Sequence, residues 1–209
     1  MKVLAIAGHA DDIELGAGGS ILKHTSAGDE VTLLLVTHSE YCDYNGNLVR
    51  SRIVAASEAQ TAANIMGINN IICLDYETKE VLYTVELIED LNRVIDDLKP
   101  DIIYTHWHGD ANQDHSAIAH ATIIAARNTP RVLMYRSNWN PTVKNFEGSF
   151  IVDISDHMEG KIRAIKAHRS EVAKRGPNWV EYFTNQNRNT GIENRTSYAE
   201  EFEVVRWVV

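Results

Sequence analysis

The chain has few cysteines and no long apolar run, and both shortages exclude classes of protein. Cys42 and Cys73 are the only two cysteines among 209 residues, and they form no Cys-x-x-Cys motif. This excludes a fold held by several disulfides, and we expect both to act as small apolar residues. No apolar stretch approaches the ~18 residues of a membrane-spanning helix. The N-terminal run Val3–Ala7 is too short for the core of a signal peptide. We therefore expect a cytoplasmic protein without a membrane span.

Basic residues are also in short supply. The chain has 20 Lys and Arg residues against 29 Asp and Glu residues, a formal net charge of -9. This balance argues against nucleic acid or an anionic membrane surface as the main partner. Hydrophobic residues make up 44% and charged residues 23% of the chain, as in ordinary globular proteins. The length suits one sizeable domain, and we expect a small-molecule partner.

Short apolar runs alternate with helical patterns as far as residue 136. The predicted strands are Lys2–Ala7, Val31–Thr37, Asn70–Leu74, Asp101–Thr105 and Arg131–Arg136. The predicted helices are Glu14–Ala27, Arg50–Met66, Val85–Leu98 and Asp114–Arg127. This alternation predicts an α/β fold, a three-layer αβα sandwich around a mostly parallel sheet.

The pattern becomes less regular in the last third of the chain. We predict a strand at Phe150–Ile154, a helix at Asp156–Arg169 and a closing strand at Phe202–Val209. Residues 171–200 are polar and predict irregular structure, with a short helix near Trp179–Asn185. We expect residues 1–209 to form a single domain. Its core would be residues 1–136, and residues 137–209 would form a smaller extension that completes the pocket.

Two polar clusters follow two of the predicted strands. The first is His9-Ala10-Asp11-Asp12, and the second runs from His106 to His115. Because chemistry in an open α/β sheet collects at the carboxyl ends of strands, the clusters can converge on one divalent metal. His9, Asp12 and His115 would be three ligands and leave a fourth position for water, as in catalytic zinc sites. Two alternatives remain. Asp11 or Asp12 could cap the following helix, or His106 or His108 could replace His115 as the ligand.

Neighbouring residues suggest further roles. Asp11 could take a proton from metal-bound water. Asn112 could donate to a developing oxyanion or stabilise a turn. Asp114 could fix the tautomer of a ligand histidine or cap the helix. His38 and Tyr41 follow the second strand and could line the pocket. His168 ends a helix and could reach the pocket or favour the helix C-terminus.

The glycines at positions 16, 18 and 19 do not form a dinucleotide-binding motif. Their spacing differs from G-x-G-x-x-G directly after the strand. Asp11 and Asp12 also stand where a pyrophosphate would need positive potential. We expect these glycines to let their helix approach another backbone closely.

The motifs resemble those of the PIG-L/LmbE-like deacetylases. His9-Ala10-Asp11-Asp12 resembles their AHPDD-type motif, with Ala10 at the usual proline position. The segment from Asp110 to His115 resembles their second motif, and the block from Lys161 to Ser170 resembles a third. The resemblance implies a Rossmann-like fold, oligomers that are often hexamers, and substrates that are N-acetylated amino sugars. It also implies one Zn²⁺ per chain on His9, Asp12 and His115, with Asp11 as the general base.

Two positions depart from that family pattern. Asn112 replaces a histidine that is often found there, and an asparagine can hydrogen-bond but cannot supply a proton. Several relatives have a substrate-binding arginine before a Glu-Ala pair on the second helix. Here Glu58-Ala59 is that pair, and Arg50 and Arg52 lie somewhat further upstream. Arg52 is our candidate for contact with the substrate.

We therefore expect a zinc-dependent hydrolase that removes acetate from an N-acetylated amino sugar or a small glycoconjugate. The loops around Tyr41 and Trp139 mix aromatic faces with hydrogen-bonding groups, which suits a sugar, although ordinary surface loops have such residues too. One alternative is a metal-binding accessory protein without activity, which Asn112 favours and Asp11 opposes. The other is a nucleotide-binding α/β protein, which the missing glycine motif opposes.

Overall fold

The structure is a computed structural model that describes residues 1–209. The strands are β1 Lys2–Ala7, β2 Glu30–Thr37, β3 Tyr41–Cys42, β4 Leu48–Arg50, β5 Asn70–Tyr76, β6 Ile102–His106, β7 Arg131–Tyr135, β8 Phe150–Asp153 and β9 Ala199–Trp207. The helices are α1 Asp12–Ser26, α2 Arg52–Met66, α3 Val85–Leu98, α4 Gln113–Ala125, α5 Met158–Ala167, α6 Arg169–Arg175 and α7 Pro177–Glu193. None of the helices has both the length and the apolar composition needed to cross a membrane.

Seven strands form one mixed sheet in the order β5-β2-β1-β6-β7-β9-β8. The first five are parallel, and β9 runs antiparallel to both β7 and β8. Strands β3 and β4 form a separate short hairpin. The prediction of an α/β fold with a mostly parallel sheet is confirmed. Chain order along the sheet reverses between β1 and β6, and such a switch point is where open α/β sheets bind ligands.

Both faces of the sheet are covered, which explains its nearly continuous apolar strands. Successive residues of β1 point to opposite faces. Val3, Ala5 and Ala7 join a buried cluster with residues of α1, α2 and α5. Leu4 and Ile6 join a second cluster with residues of α3 and α4. The sheet is thus the middle layer of three.

Helix α1 lies very close to its neighbours at two of its glycines. A Cβ atom at Gly16 would overlap the ring of Tyr135, and one at Gly19 would lie 2.7 Å from Ile154 side-chain atoms. The sequence predicts close approach to another backbone at these glycines; the approach is close, but the groups that they meet are side chains. Glycine at these two positions therefore lets α1 pack directly against Tyr135 and Ile154.

Several predicted boundaries are wrong. Helix α2 begins at Arg52, because the Ser51 side chain caps it by accepting from the Val54 N–H. The predicted helix Asp156–Arg169 ends at Ala167, and α6 and α7 occupy most of the segment predicted to be irregular. Helix α7 forms because Trp179, Val180 and Phe183 pack in an apolar cluster with Leu15 and Ile165.

Cys42 and Cys73 are free thiols, and both are exposed rather than packed as apolar residues.

Candidate metal centre

The loops that leave β1 and β6 meet at the switch point of the sheet and bring three candidate ligands together. The Nδ1 atom of His9 lies 3.0 Å from Nε2 of His115. The Asp12 carboxylate lies between them, with Oδ2 3.2 Å from His9 Nδ1 and Oδ1 3.2 Å from His115 Nε2. The ligand atoms of all three residues lie within 4.8 Å of one another. Residues separated by more than a hundred positions thus form one cluster of two nitrogens and a carboxylate.

The electrostatics of this cluster favour a cation. Burial lowers the pKa of His9, but the Asp12 carboxylate and the hydrogen bond to Asp114 outweigh burial and raise it to about 9. Burial also lowers the pKa of His115, and Asp12 and Asp110 reverse this and raise it to about 10. A site that attracts protons this strongly also attracts a metal ion, which displaces those protons on binding. The residues therefore fit a divalent metal, and the nitrogen and carboxylate donors suit zinc.

Each ligand histidine is held through its other ring nitrogen. His9 Nε2 lies 3.0 Å from Oδ2 of Asp114, and His115 Nδ1 lies 3.1 Å from Oδ2 of Asp110. Asp114 is itself held, because it accepts hydrogen bonds from the backbone N–H groups of Lys79 and Val81. Such carboxylates fix the tautomer and orientation of a metal-ligating histidine.

Neither alternative histidine is one of the three converging ligands, although Nε2 of His106 lies 3.3 Å from Oδ2 of Asp12. Nε2 of His106 accepts a hydrogen bond from the Gly8 backbone N–H at 2.8 Å. Burial, together with the nearby His115, lowers the pKa of His106 to about 4, so its ring is neutral. It stacks on His115 with ring centroids 3.9 Å apart and so supports that ligand. His108 instead packs edge-on against Trp107 and His120.

Asp11 occupies the N-cap position of α1, but its side chain makes no capping hydrogen bond. The Asp12 carboxylate turns back and accepts from the His9 backbone N–H at 2.6 Å. The Asp11 carboxylate lines a cavity of about 490 Å³ that also contains the three candidate ligands. Its near neighbour is Arg50, whose Nη2 lies 3.8 Å from Asp11 Oδ1. Asp11 thus stays available for proton transfer.

Asn112, and not Asp114, is the N-cap of α4. Its side-chain oxygen accepts from the Asp114 backbone N–H at 2.9 Å. This bond fixes the amide, so its Nδ2 group is left to donate into the cavity that Asn112 lines. Because Asn112 caps the helix, the Asp114 carboxylate is not needed as a cap and can hold His9.

Glu171 organises the opposite wall of the cavity. It is almost completely buried, accepts from Tyr41 Oη at 2.6 Å and from Arg175 Nε at 2.8 Å, and lies 3.7 Å from Arg50 Nη1. Burial raises the pKa of Glu171, but the Tyr41 hydrogen bond and the Arg50 charge outweigh it and lower the pKa overall. A charged Glu171 therefore fixes Tyr41 and Arg50 at the cavity surface.

Three predicted substrate contacts do not line this cavity. Arg52 is exposed at the start of α2, where it pairs with Asp75 at 3.1 Å. Nε2 of His38 lies 2.6 Å from the same Asp75. His168 is fully buried, 3.3 Å from Glu14. These interpretations were wrong because the side chains face carboxylates outside the cavity. Arg50 lines the cavity instead. It is the last residue of β4, whereas Arg52 lies beyond the Ser51 cap, in the first turn of α2.

Sequence reasoning also missed several residues of the site. Asp110 supports His115, and the motif that contains both was the available signal. The cavity wall also contains Lys79, Glu171, Lys174, Arg175 and Trp179. Four of these lie in the segment predicted to be irregular, and their sequence pattern alone gave no sign that they face the site.

Comparison with known proteins identifies the family. Residues 4–126 match the family model PIG-L, GlcNAc-PI de-N-acetylase. The chain is 28% identical to diacetylchitobiose deacetylase of Thermococcus kodakarensis, with 81% of this chain and 70% of that protein covered. It is 29% identical to the uncharacterized deacetylase YaiS of Escherichia coli K12, with 80% and 90% covered.

The fold agrees with this assignment. The crystal structure of the conserved protein TT1542 from Thermus thermophilus superposes with a TM-score of 0.84 at 24% identity, covering 99% of this chain and 95% of that one. The family match spans more than half of the 209 residues and includes both polar clusters. The chain therefore belongs to the PIG-L family and is a deacetylase of that family.

Proposed function

We propose that this protein is a zinc-dependent N-deacetylase that releases acetate from a 2-acetamido sugar or a small glycoconjugate of one. The observation that carries the proposal is the convergence of His9, Asp12 and His115, with the uncapped Asp11 carboxylate beside them in one cavity. This set provides a metal position and a separate base. A nucleotide-binding α/β protein that works without a metal would need neither.

His9, Asp12 and His115 would hold the metal, with Asp114 and Asp110 orienting the two histidines. When bound, the metal polarises the acetamide carbonyl and lowers the pKa of a water molecule. The remaining steps belong to residues of the chain. Asp11 takes a proton from the attacking water while the oxygen atom of that water bonds to the carbonyl carbon.

Asn112 Nδ2 donates to the oxyanion that develops on the carbonyl oxygen. Asp11 then returns its proton to the amide nitrogen, the C–N bond breaks, and acetate and a free amine leave. One carboxylate thus serves first as base and then as acid. This assignment suits an asparagine at position 112, which has no proton to give.

The sugar specificity rests on the composition of the cavity and on similarity. Trp139 offers an aromatic face to the CH surface of a sugar ring, and Asn138 and Asn140 offer hydrogen bonds to hydroxyls. The curated relative from Thermococcus kodakarensis is described as acting on diacetylchitobiose, which contains N-acetylated sugars. A cavity of about 490 Å³ has the size of a small-molecule site.

Metal content and acetate release measured together test the proposal. His9→Ala is expected to lose most bound zinc and all turnover, because the remaining ligands cannot fill the vacated position. Asp11→Asn is expected to retain zinc and lose turnover. His120→Ala, which changes an exposed histidine outside the cavity, is the matched control and should behave like the wild type.

The substrates would be N-acetylglucosamine, its glycosides and an acetyl-lysine peptide, assayed with and without a chelator. Acetate release from the sugars that the chelator abolishes supports the proposal. Preference for the peptide contradicts the sugar assignment. Zinc binding with no acetate release from any substrate favours the accessory-protein alternative.

A further inference from the structure

Ser39 adopts a backbone conformation that is unusual for a residue with a side chain. Its φ angle is 60°, in the left-handed region that favours glycine. The residue is almost completely buried, in the loop that connects β2 to β3. A strained backbone of this kind persists only where surrounding contacts hold it, and such residues cluster at functional sites. Glycine would relieve the strain, so a serine at this position indicates a use for the hydroxyl group.

Ser39 connects two elements of the site. Its Oγ accepts a hydrogen bond from the Ala10 backbone N–H at 2.9 Å, and its carbonyl oxygen accepts from Arg50 Nε at 3.0 Å. Its own N–H donates to Thr37 Oγ1 at 3.1 Å, and that hydroxyl donates to the Gly8 carbonyl at 2.7 Å. One residue therefore joins the turn after β1 to the end of β4.

These contacts determine where the Asp11 carboxylate lies. Asp11 follows Ala10 directly, and its side chain makes no capping hydrogen bond. Its ion pair is with Arg50, whose Nη2 lies 3.8 Å from Asp11 Oδ1. The backbone that carries Asp11 and the cation that faces it are thus both bonded to Ser39. Because the carboxylate has few contacts of its own, its position depends on this residue.

The separation between Arg50 and Asp11 matters for proton transfer. At 3.8 Å the guanidinium group attracts the carboxylate without forming a hydrogen bond to it, so the lone pairs stay available. A closer Arg50 would occupy those lone pairs, and a more distant one would leave the carboxylate free to rotate. A misplacement of about 1 Å in an active site can cost about 10²-fold in rate.

We propose that Ser39 is a positioning residue for deacetylation, which fixes the Asp11 carboxylate relative to Arg50 and to the metal ligands. Ser39 itself neither lines the cavity nor belongs to the metal cluster. The proposal rests on the proposed deacetylase function, in which Asp11 must reach first the attacking water and then the amide nitrogen. It adds a buried residue of the β2–β3 loop to the residues on which the rate depends.

Ser39→Ala and Ser39→Gly separate a positioning role from a contribution to stability. Both variants lack Oγ, but only glycine relieves the strained backbone, so Ser39→Gly should have the higher Tm. Acetate release from the methyl glycoside of N-acetylglucosamine measures the rate. In both variants kcat should fall about 10- to 100-fold, with KM nearly unchanged and zinc retained. Similar rate losses in two variants of different stability are the signature of positioning.

Ser20→Ala is the matched control. Ser20 is as buried as Ser39, and its hydroxyl donates to Glu200 Oε2 at 2.6 Å, outside the cavity. This variant should lower Tm and leave kcat unchanged. An unchanged kcat in Ser39→Ala would overturn the proposal, as would a kcat that simply follows Tm across the three variants. Loss of zinc from Ser39→Ala would also contradict it, because Ser39 would then act on the metal site.

Failure of the deacetylase function would look different. Zinc-loaded wild type would then release no acetate from the glycoside. Crystal structures of the wild type and of Ser39→Ala still decide the question in that case. A changed separation between Arg50 and Asp11 in the variant supports the positioning role, and an unchanged separation contradicts it.

Discussion

The buried ion pair between Lys161 and Glu200 allows a quantitative test of the packing beside the site. Both side chains are fully buried, and Nζ lies 2.7 Å from Oε1. Removing one partner of a buried pair costs about 3–5 kcal/mol, because the other charge stays behind uncompensated. Glu200 keeps three other donors, the backbone N–H groups of Gly19 and Ser20 and the Ser20 hydroxyl. We therefore expect Lys161→Met to cost about 3 kcal/mol, the lower end of that range.

The loss should be measured by urea unfolding and by calorimetry on metal-free protein. About 3 kcal/mol corresponds to a Tm lower by about 6–12 °C in a domain of this size. Lys161→Met/Glu200→Gln should recover only part of the loss. It removes the buried charge, but Gly19 and Ser20 donate to different carboxylate oxygens, and glutamine keeps an acceptor for only one of them. Lys166→Met, an exposed lysine on the same helix, should be neutral. A free energy of unfolding for Lys161→Met within about 1 kcal/mol of the wild type would refute the reasoning.

The same lysine predicts a pH dependence. Burial lowers the pKa of Lys161 below 10.5, although Glu200 opposes the shift. Between the lowered pKa and 10.5 the unfolded chain binds more protons than the folded protein, so this lysine's contribution to stability rises with pH. Below that window the full cost of burying the charge is present. Lys161→Met should lack this rise, which comparing the two proteins from pH 8 to pH 10.5 would detect. An identical pH dependence in both proteins would contradict the shift.

Two further predictions concern the site. Asn112→Ser keeps an N-cap oxygen but removes the amide donor, so kcat should fall about 10²-fold with the metal retained; an unchanged kcat would reduce Asn112 to a helix cap. Asp114→Asn should weaken zinc binding about 10- to 100-fold, because His9 loses the carboxylate that orients it. Zinc titration against a competing chelator measures that change, and an unaltered affinity would show that His9 is held without Asp114.

Much of the sheet could be predicted because its signal is local. Strands buried on both faces are continuous apolar runs, so β1, β2 and β6 were found within one or two residues. The metal cluster was also predictable as a set, since polar residues directly after two such strands meet at the same edge of the sheet.

The opposite wall of the cavity was not predictable because its determinants are tertiary. Arg50 and Arg52 are two residues apart, and the Ser51 cap decides that the first faces the cavity and the second faces solvent. Helix α7 depends on a few apolar residues that pack against Leu15 and Ile165, and the polar residues between them hide that pattern. His168 pairs with Glu14, more than 150 positions away, and no local pattern indicates this contact.

The sheet is complete only when β9 is in place, and β9 is the last strand of the chain to be synthesised. It lies between β7 and β8, and it provides Glu200 to Lys161 and to the backbone of α1. Until residues 199–207 leave the ribosome, the edge of β7 has no partner and Lys161 has no counter-ion. Without residues 199–207 the sheet would have an open edge at β7, and an open edge can pair with other chains.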